Sequence, residues 1–332
     1  MEYLKSEKIK KLYISKSKNY KKLGFNLVQA LKILLDEAGI SYLTVCYRIK
    51  DTNSFIEKIE RKNYLKPFEQ IEDICGIRVI CYYKSDIDKI CQIINKEFKV
   101  LESQDKEELL KPDQFGYRSY HFIVKIKDEW LCTPNYKGLG DLKAEIQVRT
   151  NLMHTWAEIE HKLEYKKEED IPKEFKRKFS FLSAKLEEAD EQFESLKDDI
   201  TDYRNKYKEK ILDAEKNNID LSESSDEVNL DNLQAFLDCY FSDRKGNVRG
   251  VSVTVSELNR YKINIPMLTK FYNKYKDTIF EIERNLFTSG RRIIFLTQVG
   301  ALRILLMLAD NEYFKDTKYF LYYKNEISKY KK

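Results

Sequence analysis

Glu145, Gln147 and Arg149 alternate with Ile146 and Val148 in the run Glu145-Ile146-Gln147-Val148-Arg149-Thr150. Successive side chains of a strand point to opposite faces, so this run sets an acid, an amide and a base side by side. Such a face is not ordinary core, because charges are buried only when they are paired or used. Groups of these types transfer protons and neutralise charge. The three histidines of the chain cluster around the run. His121, His154 and His161 fall within the 44 residues from Arg118 to His161, which open on Arg118-Ser119-Tyr120-His121 and close on Met153-His154-Thr155-Trp156-Ala157-Glu158-Ile159-Glu160-His161.

Three other blocks carry chemistry-bearing residues at meaningful spacing. In Arg48-x-Lys50-x-x-x-Ser54-x-x-x-Lys58, the last three named residues are four apart. A helix starting near Asp51 puts them on one face, where two ammonium groups and a hydroxyl at a helix N-terminus form a phosphate cradle. Taken alone, lysines four apart are also a common solvated surface. In Asp73-Ile74-Cys75-Gly76-Ile77-Arg78 a carboxylate enters an apolar strand that carries an arginine. It is either half of an Asp–Arg pair or a magnesium ligand, since Mg²⁺ sites with triphosphates use one or two carboxylates. In Phe115-Gly116-Tyr117-Arg118-Ser119-x-His121 a tyrosine beside a glycine can offer its ring to a base, although packing on the core is the ordinary fate of a tyrosine in a chain with 23. His154, Glu158 and His161 lie on one helix face, a conceivable zinc spacing. They lack a His-Glu-x-x-His pattern, and His161 is expected to be a satisfied structural histidine.

Periodicity predicts the elements that position these blocks. Helices are expected over 23–38, 54–62, 87–98 and 151–163, and strands over 41–49, 77–83, 120–126 and 144–150, with a turn at 135–141. Strands and helices mix without strict alternation, so the fold class is α+β with a mixed sheet flanked by helices. From Phe175 to Tyr207 apolar residues recur at alternating steps of four and three, a heptad seam on one long helix whose role is structural. Residues 217–227, acidic and serine-containing, read as a linker. They divide a first domain, 1–216, from a mainly helical one, 229–332, with helices expected at 230–240, 255–261, 266–286 and 297–308. The stretch 256–271 has a faint helix-turn-helix rhythm, for which a plain helical hairpin is the better reading.

The chain has 332 residues, 42% hydrophobic and 35% charged, with a net charge of +5. Eight lysines (Lys5, Lys8, Lys10, Lys11, Lys16, Lys18, Lys21, Lys22) face only Glu2 and Glu7 in the first 22 residues, a local +6. This is a candidate polyanion patch, but a solvated helix face accounts for it better. No apolar run is long enough to span a membrane, and no secretory segment is visible. The six cysteines, Cys46, Cys75, Cys81, Cys91, Cys132 and Cys239, form no Cys-x-x-Cys pair. Reduced thiols and a cytoplasmic location are expected.

Taken together, Arg-x-Lys-x-x-x-Ser-x-x-x-Lys, Asp-x-x-Gly-Ile-Arg, Gly-Tyr-Arg-Ser-x-His, Glu-Ile-Gln-Val-Arg-Thr and Trp-Ala-Glu-Ile-Glu-His-x-Leu-x-Tyr-Lys resemble the synthetase domain of RelA/SpoT-type alarmone synthetases, the GTP pyrophosphokinases. The resemblance covers about residues 20–170. It implies a nucleotidyltransferase-like sheet and transfer of the β,γ-pyrophosphate of ATP to the 3′-hydroxyl of GTP or GDP, giving AMP and (p)ppGpp. By motif, Arg48 and Arg78 would sandwich the adenine, and Lys50, Ser54 and Lys58 would hold ATP phosphates. Asp73 would bind Mg²⁺, and Glu145 would bind the metal or take the proton of the attacking hydroxyl. Tyr117 would stack on the acceptor base, and His121, Gln147 and Arg149 would orient the acceptor. His154 stands where many small synthetases carry Asn or Asp near that base, which leaves the acceptor open. No His-Asp metal motif precedes the synthetase, so the hydrolase activity of the family is expected to be absent.

Two other readings compete. A toxin-like relative would pyrophosphorylate the 3′ end of tRNA with the same residues, its basic face drawn from the N-terminal lysines and Lys166, Lys167, Lys173, Lys176, Arg177 and Lys178. A catalytically inactive nucleotide-binding regulator is the third. In either active reading the C-terminal region is expected to serve regulation, a protein partner or homo-oligomer assembly.

Overall fold

The computed structural model describes residues 2–105, 119–163, 172–216, 227–288, 296–316, 324 and 327–331. The chain divides into two compact units, Met1–Leu196 and Lys197–Lys332.

In the first unit, the described strands are β1 (Tyr42–Ile49), β2 (Cys75–Cys81), β3 (Lys99–Asp105), β4 (Tyr120–Lys125) and β5 (Ala144–Thr150). They form one sheet in the order β1-β2-β5-β4-β3. Only the central β2/β5 pair is parallel; the other described pairs are antiparallel. The expected mixed sheet is therefore present. Its helices are α1 (Glu2–Glu37), α2 (Thr52–Lys62), α3 (Pro67–Gln70), α4 (Lys84–Glu97), α5 (Asp128–Leu131) and α6 (Asn151–Lys162).

The two central strands have one apolar and one polar face. Ile77, Val79 and Cys81 of β2 pair with Ile146, Val148 and Thr150 of β5, and all six are fully buried. The opposite face carries Gly76 and Arg78 beside Glu145 and Gln147. Register settles this, since a slip of one residue would turn every side chain over.

Two local features depart from the sequence reading. Helix α1 begins at Glu2 rather than near residue 23. Tyr13, Tyr20, Leu23, Leu27, Leu31 and Leu35 are all buried, so a tyrosine-bearing stripe carries the helix through the lysine-rich segment. The lysines fall on the other side: Lys8, Lys11, Lys18, Lys21 and Lys22 are exposed. Strand β3 was not foreseen; its sequence, Lys99-Val100-Leu101-Glu102-Ser103-Gln104-Asp105, is that of a polar edge strand, paired only with β4 among the described strands.

Helix α7 (Lys173–Lys216) is the expected long helix, and only part of the heptad seam packs inward: Phe179 and Leu186 lie against the first core and Tyr207 is buried in the second. Ser183 and Asp190 are buried, whereas Leu182, Phe193 and Leu196 are each more than half exposed. Polar contacts add to these apolar ones in seating its first half, as described below.

In the second unit, α8 (Leu230–Tyr240), α9 (Val248–Arg260), α10 (Ile265–Thr288), α11 (Gln298–Ala309) and α12 (Asn311–Asp316) surround a separate core. It includes Phe236, Leu258, Leu268, Ile282, Leu302 and Leu305, together with Tyr207 and Ile211 of α7. Arg244 is buried against Glu283, with Nη2 donating to Oε2 at 2.6 Å. The cysteines are unpaired thiols, and burial pushes those of Cys75 and Cys81 up to about 12. No described helix is long and apolar enough to cross a membrane.

Candidate active site

Strand β1 ends by delivering Lys50 to the mouth of α2. Asp51 caps that helix, its carboxylate accepting the Ser54 N–H at 2.9 Å. A backbone donor at the helix N-terminus is thus already used. The phosphate cradle expected there consists of side chains: Lys50, Ser54 and Lys58, with Arg61 one turn further on, all lining one cleft. Asp73, just before β2, accepts a hydrogen bond from Lys50 Nζ at 2.8 Å and pairs with Lys58 Nζ at 3.0 Å. Burial pushes its carboxyl up, but the hydrogen bonds and charges of the two lysines outweigh burial and hold it below the usual carboxylate range. Arg78 is not its partner. Arg78 Nη1 instead donates to Glu158 Oε1 of α6 at 2.7 Å.

Glu145 lies beside Gly76 in the parallel register, and Gly76 lies opposite Arg48. A Cβ on Gly76 would meet only the Arg48 carbonyl, at 3.8 Å, so the missing side chain leaves the sheet face open between Arg48 and Glu145. Both Glu145 oxygens are engaged. Oε1 is 2.8 Å from His121 Nδ1, and Oε2 accepts from Gln147 Nε2 at 2.8 Å. The chain continues outward on both sides: Arg149 Nη2 donates to Gln147 Oε1 at 2.9 Å, and Ser119 Oγ is 2.7 Å from His121 Nε2. With Glu145 ionised, His121 carries its proton on Nδ1 and donates it to the carboxylate. Burial raises the Glu145 pKa, but the His121 hydrogen bond and charge, with Gln147, bring it below the ordinary value; the charge of Asp73 opposes them.

A cleft of about 620 Å³ gathers Arg48, Lys50, Ser54, Lys58, Asp73, Arg78, Glu145 and Gln147. His121 and Arg149 join through the hydrogen bonds to Glu145 and Gln147. His154 sits in the field of Glu158, Arg78 and Arg149; burial lowers its pKa, and its Nδ1 is buried without a hydrogen bond. Tyr117 lies outside the described residues. His161 is a correction, because it is exposed and lines the cleft instead of being satisfied in the core. With Glu158 held by Arg78 and His161 in the cleft, the zinc reading of this helix has no shared site. Arg61 was missed, although its spacing from Ser54 and Lys58 extends their helix face by one turn.

Asp73 and Glu145 are close enough to feel each other's charge, and Asp73 Oδ1 is buried with the Lys58 ammonium as its partner. Among the described residues no group of three or more His, Cys, Asp or Glu side chains converges on one point. Two carboxylates at the edge of a cationic cleft fit a magnesium ion whose other ligands are phosphates and water.

Residues 47–170 match the family described as the region found in RelA / SpoT proteins. GTP pyrophosphokinase YjbM of Bacillus subtilis (strain 168) is 30% identical over 168 residues, which cover 50% of this chain and 75% of that protein. The chain belongs to the RelA/SpoT family. With that membership comes an enzyme class, the pyrophosphotransferases. GTP pyrophosphokinase YwaC of the same organism is 34% identical over 133 residues, 38% of this chain and 60% of that protein. Among solved structures, small alarmone synthetase 1 from Bacillus subtilis is 30% identical, covers 55% of this chain and 95% of its own, and has a TM-score of 0.47.

Proposed function

We propose that this RelA/SpoT member transfers the β,γ-pyrophosphate of ATP to the 3′-hydroxyl of GTP or GDP, releasing AMP and forming (p)ppGpp. The observation that carries the reading is the pairing of two differently held carboxylates in one cleft. Asp73 is gripped by two lysines, whereas Glu145 is gripped by an imidazole and an amide.

Arg48 and Arg78 share one sheet face with Gly76 between them, a seat for a flat base. Lys50, Ser54, Lys58 and Arg61 hold the triphosphate, the two lysines turning from Asp73 to phosphate oxygens. Gln147, Arg149 and His154 serve the acceptor, and the sequence motif assigns Tyr117 to its base. The 3′-oxygen attacks the β-phosphorus, the bond from that phosphorus to the α–β bridging oxygen breaks, and AMP leaves with the electron pair. Glu145, ionised and fixed by its two hydrogen bonds, takes the hydroxyl proton. Asp73 and Glu145 would hold a magnesium ion, which would supply charge neutralisation at the triphosphate. Most of the acceleration then comes from alignment and electrostatics.

The unit Lys197–Lys332 carries none of these groups and serves regulation or a partner, and the expected compartment is the cytoplasm. The test is incubation of the purified chain with γ-labelled ATP and GTP, GDP or tRNA. Label in a guanosine tetra- or pentaphosphate supports the reading. Label in tRNA alone transfers the same chemistry to a translation-blocking role, and no transfer to any acceptor contradicts enzymatic function.

A further inference from the structure

The chemistry uses no residue of α7, yet a polar side chain of that helix is buried behind the site, on the apolar face of the sheet. Asp190 is 3% exposed and Thr150 is fully buried, and the Thr150 hydroxyl donates to Asp190 Oδ2 at 2.5 Å. Thr150 is the residue at which β5, bearing Glu145, Gln147 and Arg149, becomes α6, bearing His154 and Glu158. The same hydroxyl accepts the Met153 N–H at 3.1 Å and so caps α6. Two further contacts seat this part of α7: Glu194 accepts the Ser85 N–H at 3.1 Å, and Phe179 meets Trp156 edge-on with ring centroids 5.9 Å apart.

We infer that Asp190 is a positioning residue for the acceptor side of the site, holding through Thr150 the junction that aligns Gln147 and Arg149 with His154. The inference rests on the assignment of those three residues to the acceptor. It gives α7 a specific task and explains why a carboxylate is buried where an apolar residue would pack at lower cost.

The clamp is also sensitive to pH. Burial pushes the Asp190 carboxyl up to about 7; Lys84 of α4 opposes this, and Glu194 adds to it. Lys84 is shared with Glu191 at 3.7 Å, so its help is divided. Asp86 of α4 and the Cys81 thiol at the end of β2 also face this region. Because the folded-state value lies above the ordinary 3.8, the stabilisation is complete below about pH 4 and is lost as pH climbs through about 7. Above neutrality the clamp holds a buried anion, and the junction loosens.

Asp190→Asn keeps an oxygen for the Thr150 hydroxyl and removes the titration; Asp190→Ala removes the acceptor. Binding of GDP and of a non-hydrolysable ATP analogue, measured by calorimetry, needs no turnover, so its outcome is separable from that of the transfer assay. We expect Asp190→Ala to weaken GDP binding about tenfold and leave the ATP analogue within about twofold. The wild type should lose GDP affinity and melting temperature relative to Asp190→Asn between pH 5 and pH 8. Equal losses for both nucleotides in the alanine variant, or wild-type pH dependence in the asparagine variant, would overturn the inference. If the alanine variant does not fold, the asparagine comparison decides alone. Absence of any GDP binding by the wild type would also overturn it.

Discussion

Glu145 is held ionised by its neighbours. Burial alone would raise its pKa, and the His121 contact does most to reverse that. Its folded-state value is depressed, so its contribution to stability is present above the ordinary carboxyl range and is lost only as pH falls through a lower one. Replacing His121 with Ala should therefore move the acid limb of the kcat/KM profile to higher pH, and an unmoved limb would remove Glu145 from the titrating step. Glu145→Gln should lower kcat by about 10²–10⁴ with little change in melting temperature, as expected for a general base. Asp73→Asn should abolish transfer in another way. It leaves Lys50 and Lys58 without their carboxylate, so an activity loss relieved by excess Mg²⁺ would mark Asp73 as a metal ligand, and near wild-type turnover at ordinary Mg²⁺ would exclude it.

The elements hold the donor cleft from behind. The Tyr13 hydroxyl of α1 donates to the Lys50 carbonyl, and its ring stacks on Phe55 of α2 at 4.2 Å. Tyr13→Phe keeps the stack and removes the bond, so the KM for ATP should rise several-fold with the acceptor KM unchanged; equal changes in both would make the hydroxyl a general stabiliser. A Cβ on Gly24 would lie 2.5 Å from the Tyr47 ring, next to Arg48. Gly24→Ala should cost about 1–3 kcal/mol by overpacking, read as a lower melting temperature. Most of this framework was legible in the sequence because β5 alternates strictly and α2 repeats every fourth residue. Strand β3 was not, because an edge strand needs no apolar alternation. The start of α1 was obscured because its core residues are tyrosines set among lysines. The burial of Asp190 was also unreadable: the apolar period of α7 marks Phe179 and Leu186, which do pack on the core, but equally Leu182, Phe193 and Leu196, which are exposed, and it gives no sign of the hydrogen bond to Thr150. Arg61 was readable as the next member of the Ser54–Lys58 helix face, and His161 as a neighbour of His154 on its own helix face.

Across the whole chain the two cores share no residue, with the buried first core ending at Trp156 and the second starting at Tyr207. Truncation after Leu196 should therefore leave a folded synthetase unit, whereas truncation after residue 216 strips Tyr207 and Ile211 of their core and should reduce solubility. Assays of transfer and solubility on both forms check this, and a regulatory second unit predicts altered rather than absent activity in the shorter form. The central claim is that the whole β,γ-pyrophosphate moves to a 3′-oxygen. The most direct measurement follows nucleotide products over time with GDP or 3′-deoxy-GDP as acceptor. The account predicts one AMP released for each guanosine tetraphosphate formed and no product from the 3′-deoxy nucleotide. Release of ADP instead of AMP, or equal transfer to the 3′-deoxy acceptor, would contradict it.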